Sequence, residues 1–327
     1  MLSIDGSMME GGGQIVRTSV ALSAVSGKPV RIERIRGGRE RPGLAPQHCS
    51  AVKAVAGLCS AAVRGCTPGS RVLEFTPGEL EYRDQEIDIG TAGSIPLVLQ
   101  AWLPAASRCG ASLSIRGGTE VQKSPTIDYF SRVFLPVIRN SGAEVSIDIL
   151  QRGYYPAGGG SIRIVAGRSE LTPLALTPGQ SRGIISCSSN LPEHVATRQA
   201  VSAAQRLSSR TGLEYPVTFD RRQGPSTGTS CTVWQEFKGG VALGKRGLPA
   251  EQVGSSAADA LIDELDLPGD ADRHLADQLM LYVAIYGGRF TTSRLTLHSR
   301  TMLWLLEEFG FSLQVTEKAS GETEVRQ

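Results

Sequence analysis

The chain has 327 residues, of which 40% are hydrophobic and 20% charged, and its net charge is +2. That length supports one large domain or two modest ones with real cores, and the composition is that of a globular protein. So small a net charge excludes a nucleic-acid coat protein, and apolar stretches such as IPLVLQAWLPAA are broken well short of the ~20 residues a bilayer requires.

The first segment, MLSID, reads as a strand, with neither the basic nor the apolar region of a signal peptide. A cytoplasmic location is therefore expected. Glu10 and three glycines follow in MMEGGGQIVR, and the glycines open a helix. Backbone N–H groups there can approach an anion closely. A carboxylate beside such a site calls for a cation, so Glu10 points to a divalent metal; a glycine turn with a solvated Glu is the competing reading. The basic run RIERIRGGRERPGLAPQH places Arg34 and Arg36 on one face of a strand, and Arg36 and Arg39 on either side of a Gly-Gly bend. Guanidinium forks suit phosphate oxygens, although such runs are also ordinary solvated faces. Gln47 and His48 then begin a helix.

Three stretches share one layout: GGGQIVRTSVALSAVSGKPVRIERI, GSIPLVLQAWLPAASRCGASLSIRGG and HLADQLMLYVAIYGGRFTTSRLTL. Each reads as helix, glycine stop and strand, followed by a second helix and two strands, with apolar spacing of 3–4 in the helices and 2 in the strands. The fold class expected is α/β (α+β): three helix–strand–helix–strand–strand units form a large domain over 1–182 and 273–327. The surplus between units two and three has its own strand–helix–strand–strand–helix pattern, and reads as a small inserted α/β domain over 183–272.

Within that surplus, GGVALGKRG nearly matches a phosphate loop, but Arg246 stands where the magnesium-binding hydroxyl belongs. A turn and strand is the expected structure. RGYYPAGGGSIRI reads as a tight glycine turn between strands, with a structural role. The six cysteines form no CxxC pair and no metal-like spacing, so free thiols are expected. Finally, in TLHSRTMLWLLEEFG a strand-like run ends at His298 and a helix with Leu303, Leu306 and Phe309 on one face starts at once. The partial positive charge of a helix N-terminus holds a histidine neutral, and a neutral imidazole is a nucleophile. A hydrogen-bonded strand-end histidine is the plainer alternative.

Six strings in order, EGGGQIVR, IRGGRERPGLAPQH, GTAGSIPLVLQ, RGYYPAGGGSI, HLADQ and LHSRTM, resemble the RNA 3'-terminal phosphate cyclase family across nearly the whole chain. The resemblance implies ATP-dependent conversion of an RNA 3'-phosphate to a 2',3'-cyclic phosphate. The route runs through a covalent histidyl-AMP and an RNA(3')pp(5')A intermediate. By match, His298 is the nucleophile and Glu10 the metal ligand, for Mg2+ or Mn2+. Gln100, Pro125, His274, Leu275, Ala276, Asp277 and Gln278 match positions that contact ATP. Arg17, Arg36, Arg39, Gln47 and His48 match positions that handle phosphates or the RNA end. His274 departs from the family pattern, in which a tyrosine often stacks on adenine. The implied partner is RNA with a 3'-terminal phosphate, no membrane is involved, and a homodimer is a candidate assembly. A cyclase-like protein that has lost catalysis and serves in ribosome assembly is the alternative, and a transferase of similar repeated units acting on a phosphorylated metabolite is a further one.

Overall fold

A computed structural model describes all residues, 1–327. The first unit runs β1 (Leu2–Asp5), α1 (Gly13–Ser26), β2 (Val30–Glu33), α2 (Pro46–Leu58), β3 (Ala62–Arg64) and β4 (Leu73–Thr76). Its sheet has the order β1-β2-β4-β3; β1 and β2 are parallel and the other pairs antiparallel. The second unit repeats this with β5 (Arg83–Asp88), α3 (Ile95–Cys109) and β6 (Ala111–Gly117). Next comes α4 (Ile127–Tyr129), which continues through a π-helical turn (Phe130–Phe134) into α5 (Leu135–Asn140); β7 (Val145–Gln151) and β8 (Gly160–Ala166) close the unit. Its order, β5-β6-β8-β7, is that of the first sheet.

The third unit opens with β9 (Leu174–Ala175). The chain then leaves for β10 (Arg182–Ser189), α6 (Glu193–Thr211), β11 (Val217–Arg222), β12 (Gly228–Gln235), β13 (Lys238–Leu243) and α7 (Ala250–Leu265). It returns as α8 (Arg273–Tyr286), β14 (Gly288–Thr292), α9 (Leu297–Glu308), β15 (Gln314–Glu317) and β16 (Thr323–Arg326). The two-residue β9 pairs in parallel with β14, which gives the order β9-β14-β16-β15. Each unit therefore starts with a strand, and in units two and three apolar spacing does not reveal it. In RDQEID of β5 only Ile87 is apolar, and β9 is only two residues long. The surplus segment accordingly departs after the first strand of unit three, not ahead of that unit.

Glycine ends the helices where the spacing predicts: Gly27 after α1 and Gly110 after α3 have φ of 71° and 73°, which suits a residue without Cβ. Helices of all three units pack against one another. Lys28 at the end of α1 donates to Phe309 O after α9 (2.7 Å), and Arg108 of α3 donates to Val25 O (2.9 Å). The sheets lie outside this layer. In β8, Ile162, Ile164 and Ala166 are buried while Arg163 and Val165 face solvent, the period of a half-covered strand.

β10 to β13 form a fourth sheet, in the order β11-β10-β12-β13. It has a core of its own, with Ile184, Leu207, Val233 and Leu261 fully buried beneath α6 and α7. GGVALGKRG is strand β13 and the turn after it. A Cβ at Gly240 would lie 2.2 Å from Ala257 O, so the glycine seats α7 on the sheet.

Arg152, the first residue of the RGYYPAGGGSI string, ties this sheet to the second unit. It is buried, and donates to Glu120 (2.6 Å), Asp128 (2.6 and 3.0 Å) and Asp220 of β11 (2.9 Å). Burial, offset by Arg152 and reinforced by Asp128, pushes the Glu120 carboxyl up to about 8. Removing the guanidinium strands these acids in the interior. Arg152→Ala is expected to cost about 3–5 kcal/mol in urea unfolding, with Arg152→Lys intermediate because an ammonium cannot reach all three.

Candidate active site

The loop between β1 and α1 folds tightly. Asp5 accepts from Ser7 N (3.0 Å) and Ser7 Oγ (2.7 Å), and Met9 and Gly11 take φ of 48° and 55°. This bend lays Glu10 over the start of α1, which no side chain caps. A Cβ at Gly12 would lie 2.0 Å from Glu10 Oε2, and one at Gly13 would lie 2.0 Å from His48 Nε2. The glycines thus admit a carboxylate and an imidazole against the first turn of the helix. Glu10 Oε1 pairs with Arg39, whereas Glu10 Oε2 is buried without a hydrogen-bond donor.

His298 arrives from the other side. β14 stops at Thr292, short of the expected strand end at His298, because Thr296 and Ser299 cap a new helix reciprocally. Thr296 Oγ1 accepts from Ser299 N (3.0 Å), and Thr296 N donates to Ser299 Oγ (3.2 Å). His298 is then the second residue of α9, and its side chain is half exposed. It meets Gln14, the second residue of α1: Nδ1 lies 2.8 Å from Gln14 Oε1. The Gln14 amide nitrogen donates to His298 O (3.5 Å), which turns the amide oxygen toward the ring. Nδ1 therefore carries the proton and Nε2 the free lone pair. Glu10 Oε2 is 3.9 Å from Nδ1. Loss of hydration, then Arg17, Arg39 and His274, push the imidazole below its ordinary range. The direction matches the sequence expectation, but burial comes first among its causes, with the two guanidiniums after it.

Asp277 of α8 accepts from both capping hydroxyls, Thr296 Oγ1 (2.7 Å) and Ser299 Oγ. It reaches the helix start beneath His298, not the ring. Burial pushes its carboxyl up to about 6 against these two donors.

The predicted cations part company. Arg34 and Arg36 do not share a strand face: both lie past β2 in left-handed conformation, with φ of 49° and 54°. Arg34 pairs with Asp5, and Arg36 donates to Gly43 O (2.9 Å). Arg17, in the second turn of α1, has no hydrogen-bond or ion-pair partner. Burial pushes it down to about 10, so it stays charged at neutral pH. His48 is buried, and its Nδ1 accepts from Ala45 N (2.9 Å), capping α2. Its Nε2–H therefore faces the start of α1.

Burial, then Arg17 and Arg36, hold His48 down to about 3. A folded value below the unfolded one of about 6.5 makes this contribution complete above pH 6.5 and lost as pH falls toward 3. Asp277, raised in the fold, contributes with the opposite sign between about 4 and 6. The stability difference between wild type and His48→Gln isolates the first effect. In urea titrations at pH 4 to 7 it is expected to shrink by up to about 1.4 kcal/mol per unit as pH falls.

Gln47 Oε1 accepts from Ser94 N (2.9 Å), the N-cap of α3, which couples the first two units. Gln100 donates to Gln278 (2.7 Å), whose own amide donates to His274 O (2.9 Å). These three form a chain across α3 and α8, with His274 exposed at its end. Leu275 and Ala276 are fully buried, and Leu275 N is held by the N-cap Asp272 (2.8 Å). Their side chains belong to the core and present nothing to a ligand. Pro125 is half-buried just before α4 and is linked to α8 indirectly, through the Tyr129 hydroxyl on Asp272 (2.8 Å).

The residue-by-residue reading omits Gln14, Thr296 and Ser299 from the site. Thr-x-x-Ser ahead of an apolar run is a visible capping signal. Gln14 stood inside a quoted motif, but its contact spans 284 positions of sequence.

The start of α1 and the start of α9 therefore converge on one spot, with a lone-pair nitrogen, an unpartnered carboxylate oxygen and an unpartnered guanidinium. Two helix N-termini and Arg17 favour an anion there. Glu10 Oε2 suits a hard divalent cation. No cluster of three metal-ligating side chains accompanies it, so phosphate oxygens and water would have to complete the shell, as is common for Mg2+.

A family model for RNA 3'-terminal phosphate cyclase matches residues 8–315. An RNA 3'-terminal phosphate cyclase of Methanococcoides burtonii is 45% identical over 94% of this chain and 94% of its own. One of Thermococcus onnurineus is 44% identical over 98% and 97%, and one of Thermococcus kodakarensis is 46% identical over 94% and 92%. The sequence strings and the nearly full-length relatives agree, and the chain belongs to the RNA 3'-terminal phosphate cyclase family.

Proposed function

We propose that this protein converts an RNA 3'-terminal phosphate to a 2',3'-cyclic phosphate at the expense of ATP, with His298 as the nucleophile. The observation that carries the mechanism is the half-exposed His298 side chain between two helix N-termini, with Nδ1 on Gln14 Oε1 (2.8 Å), an arrangement that leaves Nε2 to attack. In the first step Nε2 bonds to the α-phosphorus of ATP and the bond to the bridging oxygen breaks, releasing pyrophosphate. Gln14 steadies the ring through Nδ1–H while positive charge develops on it. Arg17 and the amides at the start of α1 take the charge of the phosphates. A divalent metal on Glu10, freed from Arg39, would neutralise charge on the same oxygens.

In the second step an oxygen of the RNA 3'-phosphate attacks the adenylate phosphorus, and His298 leaves as neutral imidazole. In the third, the vicinal 2'-oxygen attacks the 3'-phosphorus, loses its proton and expels AMP. The Nε2–H of His48 and the guanidiniums of Arg36 and Arg39 are suited to hold the RNA phosphate. His274 stacks on the adenine, and Gln100 and Gln278 set the placement of α8 behind it. Residues 183–272, with their own sheet and core, are read as an inserted domain beside this catalytic body.

The test is intact-protein mass after incubation with ATP and Mg2+ or Mn2+ without RNA, then with a 3'-phosphorylated oligoribonucleotide. A gain of one AMP, discharged by the RNA as a cyclic end appears, is the expected result. No adduct and no cyclic product under either metal would overturn the proposal, and would favour the catalytically inert ribosome-assembly alternative.

A further inference from the structure

The loop Gly90–Ser94 has two sides. On one, Ser94 N meets Gln47, and a Cβ at Gly93 would lie 2.9 Å from Gln47 Cβ. On the other, Gly90 and Thr91 line a second cavity of about 550 Å³. This cavity sits at the ends of β5 and β6, walled by Asp88, Arg116 and Gln151, with Pro225 of the β11–β12 loop opposite. The Gly90–Ser94 loop, between β5 and α3, holds in unit two the place that the Glu10 loop, between β1 and α1, holds in unit one.

Three features fit it to a nucleotide chain. Arg116 is exposed and makes no ion pair or side-chain hydrogen bond. Asp88 spends one oxygen on Gly90 N (2.7 Å) and has the other to accept from a hydroxyl. The glycine turn of RGYYPAGGGSI forms a wall, and Tyr155 at its crest is 75% exposed. A Cβ at Gly158 would lie 2.8 Å from Ala92 Cα, and one at Gly159 would lie 2.7 Å from Pro225 Cγ. Both glycines, at φ of 67° and 73°, are needed to seat the turn between the two walls.

We infer that this cavity receives the RNA immediately upstream of the reactive end. Arg116 binds a backbone phosphate, Asp88 accepts from a ribose 2'-hydroxyl, and Tyr155 stacks on a base. A guanidinium and a hydroxyl acceptor lining one cavity, with an exposed aromatic on the turn that walls it, are the means by which single-stranded RNA is held and told from DNA. The inference rests on the RNA-end reading above.

The test compares KM for a 3'-phosphorylated hexaribonucleotide with that for a nucleoside 3'-monophosphate. Wild type is expected to favour the hexamer. Arg116→Ala and Tyr155→Ala are each expected to raise the hexamer KM about tenfold and so erode that preference. Arg116→Ala also lowers the slope of log KM against log salt by about 0.7, and Arg116→Lys restores it. A 5-iodouridine placed second from the 3' end is expected to crosslink to the peptide carrying Tyr155. Unchanged hexamer KM and salt slope in both variants, with crosslinks elsewhere, would overturn the cavity assignment alone. A wild type that cyclises neither substrate overturns the RNA-end reading itself.

Discussion

His298→Ala is expected to lower cyclisation by about 10⁴-fold or more and to leave no AMP on the protein. Removing a covalent nucleophile removes its whole pathway, leaving only positioning and charge stabilisation. The fold should survive, because the side chain is half exposed and its one close partner, Gln14 Oε1 at 2.8 Å, is itself at the site. Equal urea midpoints for variant and wild type would check this. Residual adduct in the variant would assign the nucleophile elsewhere. The pH profile gives a second readout. Burial and the nearby guanidiniums push His298 below its ordinary range, so its own titration moves to lower pH. Asp277, ionised above about 6, then governs the acid limb, because its charge holds the hydroxyls that cap α9. In Asp277→Asn that limb is expected to move.

Gly13→Ala is the second large effect, and it tests the geometry, not the chemistry. The added methyl would lie 2.0 Å from His48 Nε2, too close for any contact. The imidazole must withdraw and the start of α1 must shift. A displacement of about 1 Å in a reacting constellation costs about 10²-fold. The same withdrawal breaks the bond from Ala45 N that caps α2, so a stability loss of about 1 kcal/mol should accompany it. A variant with full activity would remove His48 from the site. His48→Ala combined with Gly13→Ala separates the terms, since the double variant relieves the clash: its activity should equal that of His48→Ala alone.

Much of this was legible from local pattern. The helices from Gly13, Pro46, Ile95 and Arg273 follow apolar spacing of 3–4, and their glycine stops follow from φ near 70° at Gly27 and Gly110. The leading strands β5 and β9 were not legible, one because it is polar and the other because it is two residues long. Strand alternation puts Arg34 and Arg36 on one face only if it continues past Glu33, where these two left-handed residues turn the chain instead. HLADQ matches as a block, although a helix with about 3.6 residues per turn faces only some of those residues outward, and the side chains of Leu275 and Ala276 face the core.

The repeated α/β units, the absence of a true phosphate loop and the family are all legible along the chain, because helix period, glycine position and contiguous strings are local properties. The partner of His298 Nδ1, the carboxylate oxygen without a donor and the unpaired guanidinium come from the packing of distant segments. Those facts rest on Gln14, Glu10 and Arg17 meeting a helix whose His298 lies 284 positions after Gln14. They depend on the packing of α1 against α9, and no spacing along the chain encodes a contact of that kind.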